Sequence, residues 1–260
     1  MAAGYPVSVR RVVSRNPAAL AFADALDASG PLPEIPEDLC LVLGGDGTML
    51  QAIHDHGAAH QWLGLNFGHV GFLMNDLPVA HAVDFLRGRL QSGAWKAHGF
   101  QRLTMRAESS HGPLSGLATN DVYIERKSGK TCHLRIWLDG HLAADRLACD
   151  GIIAATPLGS TAYSFSAGGA ASHPLVRSVH LTSICPHAPK LAPVVLPEGA
   201  HIRVEVLDPD RRPARVVVDG IAHDDVASVE ISGTRKDDVH LAFFDYHDFL
   251  HTLLRKVLRR

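Results

Sequence analysis

The sequence predicts an α/β N-terminal domain with a parallel sheet, an all-β C-terminal domain, and a C-terminal helix that returns to the first domain. Three observations carry this. Strand-like and helix-like segments alternate through roughly the first third of the chain. From Phe100 short strands succeed one another with turn signals and no helices between them. The last segment reverts to one strand and one amphipathic helix. The expected division is residues 1–97 with 237–260 for the α/β domain and 98–236 for the β-rich domain.

Val7 to Val13 is a β-branched run. Asn16-Pro17 opens an alanine-rich helix to Leu26, with Pro in the first turn. A Pro/Gly-rich loop spans Ser29 to Pro36. Leu39 to Leu43 is a continuous apolar run, as in a strand buried on both faces. Thr48 to His60 reads as a helix, Trp62 to Asn66 as a second buried strand, and Val79 to Leu90 as a helix with Val79, Val83 and Leu86 on one face. This βαβα order is Rossmann-like, with helices on both faces of the sheet. Beyond Gly99, Asp139-Gly140 sits between two apolar runs and predicts a hairpin. Ile202–Leu207 and Arg215–Val218 flank a DPDRRP loop, and Asp219-Gly220 marks another tight turn. Val239 to Phe244 is a strand, and Asp245 is the expected cap of the last helix. There Phe249, Leu250, Leu253, Leu254, Val257 and Leu258 recur at helical spacing, a stripe that calls for burial either on the first domain or on a partner subunit.

The 260 residues are 46% hydrophobic and 20% charged, a globular composition. Twenty-five basic against 27 acidic side chains give a net charge of −2, which offers no broad attraction for nucleic acid. No apolar run approaches the roughly 20 residues that span a bilayer. The opening MAAGYPVSVRR lacks the apolar core of a signal peptide. Cys40, Cys132, Cys149 and Cys185 are scattered and form no CxxC, which points to reduced thiols and a cytoplasmic setting. Among 17 histidines, His247 and His251 are four apart and His54 and His56 are close neighbours. Neither pair forms HExxH, and with no third ligand no protein metal site is assigned.

Three stretches carry chemistry. In LCLVLGGDGTML, a buried strand runs into Gly44-Gly45-Asp46-Gly47 and then a helix start. Free amides there make a natural phosphate site. Ligands in open α/β sheets sit at the carboxyl ends of strands. A carboxylate beside phosphates can take a hydroxyl proton or hold Mg²⁺. The loop matches neither GxxxxGK[ST] nor GxGxxG, and a plain turn with Asp46 and Thr48 competing as helix caps is the alternative. In GLNFGHVGFL, Gly68 and Gly71 bare the backbone at the next strand end, while Phe72 fits core packing or a ligand. In DGIIAATPLGSTAYSFSAGG, Ser160, Thr161 and Ser166 supply hydroxyls, Tyr163 a ring for stacking on a base, and Asp150 an acceptor. A close-packed turn accounts for Gly159 and Ala162 and less well for the hydroxyls. Asn120-Asp121 precedes a strand and by itself is turn chemistry.

With these residues in place, the chain resembles the NAD kinases. GGDGTML, NFGHVGFL, TNDVYIER, DGIIAATPLGSTAYSFSAGG and SICPHAPKLAPVVLP stand in that family's order and near its spacing, over roughly residues 39 to 225. The TPxGSTAYxxSAGG block is highly specific, whereas GGDGT is shared with diacylglycerol and sphingosine kinases. The resemblance implies transfer of a phosphoryl group from ATP, or polyphosphate, to the 2′-hydroxyl of the adenosine ribose of NAD, with Mg²⁺. It implies Asp46 as the base and Gly44, Gly45, Gly47 and Thr48 as the phosphate-side loop. Asn120 and Asp121 would hold the adenosine of NAD. Thr161, Ala162, Tyr163 and Ser166 would surround the adenine and nicotinamide ends, with Asp150 nearby, Phe72 lining the pocket and His223 near the diphosphate. It also implies a homodimer or homotetramer built through the β domain. Asp121 stands where the family more often has Glu, Leu158 replaces a common Thr, Ala148 a basic residue, Ala170-Ala171 a Pro-Ile pair and Ile221 a Gln. A lipid kinase sharing the GGDGT turn and a non-catalytic dinucleotide sensor are the alternatives.

Overall fold

The computed structural model describes residues 11–57, 60–68, 71–78, 81–245 and 247–257, with 235, 236 and 256 described by backbone alone. In chain order the elements begin with β1 (Arg11–Val13), α1 (Pro17–Ala28), β2 (Leu39–Gly44), α2 (Asp46–His56), β3 (Gln61–Asn66) and α3 (Ala82–Ser92). Strands β4 (Trp95–Ser109), β5 (Gly112–Ala118), β6 (Asp121–Arg126), β7 (Cys132–Leu138), β8 (His141–Cys149) and β9 (Gly151–Ala155) follow. After a 3-10 turn at Gly159–Thr161 come the single-turn α4 (Tyr163–Ser166), β10 (Ser178–Ile184), β11 (Val194–Pro197) and β12 (His201–Leu207). The chain ends with β13 (Ala214–Val218), β14 (Ile221–His223), β15 (Val226–Phe244) and α5 (Phe249–Val257). It divides into two compact units, Met1–Gly99 with Val239–Arg260, and Phe100–Asp238.

The first unit is a parallel sheet. β1 pairs with β2, β2 with β3, and β3 with the C-terminal end of β15, where Leu241 faces Trp62. The register explains the continuous apolar run. Leu39, Leu41 and Leu43 pack with α1 and α3 through Phe22, Leu26, Leu86 and Leu90. Gly64 points the other way, because a Cβ there would meet the Met49 side chain of α2 at 2.7 Å. Strands covered on both faces cannot alternate apolar and polar. Asn16 caps α1, its side chain accepting from the Ala18 amide at 2.9 Å, and Pro17 occupies the position where a missing N–H costs nothing. Buried Asn75 holds the edge: it donates to the carbonyls of Gly64 and Ala242 and accepts from the Phe244 amide.

The second unit stacks two antiparallel arrays. One includes β12 paired with β7 and with the N-terminal part of β15, β7 paired with β8, and the β4–β5 hairpin. The other runs β11-β10-β9-β6-β13-β14. Alternate residues from both form one core, among them Leu134, Ile136, Ile202, Val204, Val122, Ile124, Ile152 and Val216. Asp139-Gly140 and Asp219-Gly220 both turn with φ positive at each residue (48° and 79°, 46° and 88°), as tight hairpins require.

Several expectations need correction. α2 starts at Asp46, two residues before the expected Thr48, and stops at His56 because Gly57 takes φ 78°. The strands flanking DPDRRP are found as expected, as β12 and β13; β12 joins β7 and β13 joins β6, so the loop crosses between arrays. The cap of α5 is Asp248, which accepts from the His251 amide at 3.0 Å, while Asp245 instead pairs with Arg89. The α5 stripe needs no correction but divides: Phe249 is buried against Phe243, and Leu250 and Leu254 are 55% and 43% exposed in the single chain. Val7, Val79 and Leu258 lie outside the described residues.

Candidate active site

In the first unit the two glycine motifs meet through one carboxylate. Asp46 is the first residue of α2, directly after the N-cap Gly45. Its two oxygens accept the backbone amides of Phe72 at 2.9 Å and Leu73 at 3.1 Å. Asp46 therefore is not a helix cap, and the competing capping role falls to Thr48, whose hydroxyl lies 3.5 Å from the Gly45 amide. Gly44, Gly45 and Gly47 have no positive φ, so unusual dihedrals explain none of them, and close approach explains Gly44 but not Gly45 or Gly47. A Cβ on Gly71 would lie 2.1 Å from Asp46 Oδ1, and one on Gly44 would lie 2.4 Å from Thr48 Oγ1. The Phe67 amide donates to the Gly44 carbonyl at 2.7 Å, which brings the two strand ends together. Phe72 is 2% exposed, so its ring belongs to the core, and what it presents to Asp46 is its amide.

A carboxylate fixed at the carboxyl ends of β2 and β3 sits where an open α/β sheet binds ligands. A carboxylate offers about four acceptor sites, so two amide bonds are compatible with accepting a hydroxyl proton. Among the described residues no three His, Cys, Asp or Glu side chains group as a metal cage. One carboxylate at a helix start still suits Mg²⁺, an ion held by one or two carboxylates plus substrate phosphates. His247 and His251 border a cleft of about 130 Å³ with Gly71, Asp76 and Arg255, where Arg255 pairs with Asp76 at 3.2 Å.

In the second unit the residues from Asn120 to Asp121 and from Asp150 to Ser166 form one constellation. β6 pairs with β9, so Asp121 lies opposite Ala155. The Thr156 amide donates to the Asn120 carbonyl at 2.8 Å, and Thr156 Oγ1 to the Thr119 carbonyl at 2.7 Å. Gly159 comes so close that a Cβ would sit 2.1 Å from the Asn120 oxygen. The Asp219 carboxylate accepts the amides of Thr119, Asn120 and Asp121. Asp121 is 6% exposed, and burial together with Asp219 pushes its carboxyl up to about 7.

The hydroxyls sort by direction. Ser160 donates to the Pro157 carbonyl at 2.7 Å and accepts the Ser172 amide at 3.0 Å, and Ser164 bonds Thr182 at 2.9 Å. Close packing thus accounts for Ser160. Thr161 is 4% exposed and makes a 3.3 Å bond to the Leu158 carbonyl, and exposed Ser166 a 3.4 Å bond to that of Ala162. Tyr163 is 36% exposed and meets Tyr123 edge-on at 5.1 Å, leaving ring surface for stacking. Asp150 is not an isolated acceptor: Arg126 Nε donates to it at 2.6 Å. Half-buried His223 lies on β14 opposite Val216. Sequence reasoning missed Asp219 and Arg126. Asp219 was legible only as a turn residue, and Arg126 only as part of the YIER run.

Residues 119–235 match the ATP-NAD kinase C-terminal domain. The chain is 31% identical over 240 residues to an NAD kinase of Brucella suis, covering 91% of each chain. It is 36% identical over 236 residues to one of Xanthomonas campestris, covering 90% of each. The crystal structure of an Archaeoglobus fulgidus NAD kinase in complex with ATP superposes with a TM-score of 0.75 at 26% identity, over 95% of this chain and 97% of that one. Yeast NADH kinase complexed with NADH gives 0.74 at 25% identity, over 94% and 76%. Neither a lipid kinase nor a bare sensor draws support from these likenesses. With an aspartate tying two glycine loops in an α/β unit and relatives alike across nine-tenths of their length, this chain belongs to the NAD kinase family.

Proposed function

We propose that this protein transfers the γ-phosphoryl group of ATP to the 2′-hydroxyl of the adenosine ribose of NAD, giving NADP and ADP. The observation that carries the proposal is Asp46, a carboxylate anchored by two backbone amides at the strand ends of the α/β unit. The reading takes Asp46 as the group that orients the 2′-hydroxyl and accepts its proton as the O–P bond forms. Gly44, Gly45, Gly47 and Thr48 present the α2 amides to the donor phosphates. Asp46 is the side chain that would hold Mg²⁺ with those phosphates, and the ion supplies neutralisation of charge on the transferring group. Asn120 and Asp121 accept from the ribose and adenine of NAD, and Tyr163 stacks on a base with Thr161, Ala162 and Ser166 around it. Phe72 supports the loop through its amide, and Asp150 and His223 lie toward the nicotinamide and diphosphate.

A comparison for the donor is the relative crystallised with ATP, and for the acceptor the relative crystallised with NADH. Initial rates with NAD or NADH, each with Mg-ATP or Mg-polyphosphate, test the proposal. NADP formation with ATP is expected, and phosphorylation with polyphosphate alone overturns the donor assignment. The proposed dimer or tetramer is read by light scattering of the full chain, where a monomer refutes it. The cytoplasmic reading rests on four scattered cysteines that form no CxxC.

A further inference from the structure

We propose that Asp219 is a positioning residue for the acceptor nucleotide: its carboxylate sets the backbone from which Asn120 and Asp121 reach NAD. The proposal rests on the NAD reading above and names the group on which that half of the site depends. Asp219 Oδ2 accepts the Thr119 amide at 2.6 Å, and Oδ1 accepts those of Asn120 at 2.8 Å and Asp121 at 3.1 Å. The Asp219 amide returns a bond to the Asp121 carbonyl at 3.1 Å. Three consecutive amides converging on one anion form a nest, and only an ionised carboxylate satisfies all of them as a pure acceptor. The carbonyls of the same segment are held from the other side by Thr156. The segment is thus clamped along both edges, and Asp219 supplies the N–H edge from a turn at φ 46°.

The same carboxylate also contributes to the charge state of Asp121. Burial is the first cause of the raised Asp121 carboxyl and Asp219 the second. Tyr123 on β6 and Tyr163 on α4 also interact with Asp121. Buried Arg102 on β4 is the cation that interacts with Asp219, and it also interacts with Asp237. Burial raises the Asp219 carboxyl as well, but the three amides and Arg102 oppose that rise, whereas burial and Asp219 both raise Asp121, so Asp121 is the member of the pair that takes up the proton. Acceptor binding should therefore strengthen as pH rises through neutrality, when Asp121 becomes a full acceptor.

The test uses the full chain as Asp219→Asn, Asp121→Asn and the double variant. KM values for NAD and for Mg-ATP are measured from acid to alkaline pH, together with hydrogen exchange of the 119–121 amides without substrate. Asp219→Asn replaces one acceptor oxygen by a donor that opposes an amide. It should raise the KM for NAD roughly tenfold while the KM for ATP stays within about twofold. It should also speed exchange at 119–121 and move the midpoint of the NAD pH profile to lower pH. In the Asp121→Asn background the removal of Asp219 should move no midpoint. Unchanged amide exchange, a parallel rise in both KM values, or an unmoved midpoint overturns the proposal. Wild-type NADP formation is measured first. Its absence refutes the NAD reading itself, whereas an active wild type with an indifferent Asp219→Asn refutes only the role of Asp219.

Discussion

Replacing Asp46 by Asn should separate two effects that one carboxylate combines. Asp46 accepts the Phe72 amide at 2.9 Å and the Leu73 amide at 3.1 Å, one on each oxygen. Asn keeps one carbonyl acceptor and turns the other position into an NH₂ that faces an N–H. The loss is at least one hydrogen bond to a charged group, worth about 1.5–3 kcal/mol. At about 2–4 °C per kcal/mol for a chain of this size, the melting temperature should fall by roughly 3–12 °C. Turnover should fall much further, by about 10² to 10⁴, because the proposed proton acceptor is gone. The assay is kcat for NADP formation well below the melting transition, with thermal unfolding followed in parallel. Gly71→Ala supplies the companion test: its Cβ would lie 2.1 Å from Asp46 Oδ1, so it displaces the carboxylate without removing it, and turnover should drop with Asp46 still present. A folded Asp46→Asn enzyme with turnover within about tenfold of wild type would refute the role of base.

Further predictions concern the second unit. Asp121 has its carboxyl raised to about 7, so the native state holds a proton that the unfolded chain releases near pH 4. Its contribution to stability is full below that pH and is lost as pH rises toward 7, on the order of a few kcal/mol. Asp121→Asn should flatten this slope in urea titrations at pH 5 to 8, and an unaltered slope counts against the raised carboxyl. Tyr163→Ala should raise the KM for NAD by about tenfold and that for ATP far less, since stacking on a base is worth about 1–3 kcal/mol; equal effects on both exclude the stacking role. Gly159→Ala places a Cβ 2.1 Å from the backbone oxygen of Asn120, which no side-chain rotation relieves. It should cost about 1–3 kcal/mol or more in urea unfolding and weaken NAD, and a neutral result contradicts the close approach.

Much of the fold was legible because its signals are local. The apolar run Leu39–Leu43, Asn16-Pro17 and Asp139-Gly140 each specify their element from neighbouring residues alone. The misplacements are equally instructive. Asp245 and Asp248 both resemble caps, and only the amide of His251 decides between them. The apolar stripe of α5 called for burial without deciding which of its residues this chain itself covers, and Leu250 and Leu254 stay exposed in the single chain. For the candidate site, motifs located Asp46, Asn120, Asp121 and Tyr163, but not what holds them. Asp46 finds its amides 26 and 27 residues away, and Asp219 finds its amides 98 to 100 residues away. Such partners follow from the fold and leave no periodic trace. The hydroxyls of the TPLGSTAY stretch looked like ligand contacts by composition, yet Ser160 turns inward to bond Pro157 and Ser172.

The central claim is tested most directly by incubating the full chain with NAD and Mg-ATP and quantifying products. NADP is read with an NADP-specific dehydrogenase, and ADP is measured in the same sample. The account predicts one ADP for each NADP, with both lost in Asp46→Asn. ADP released without NADP, or NAD bound with no turnover, would contradict it.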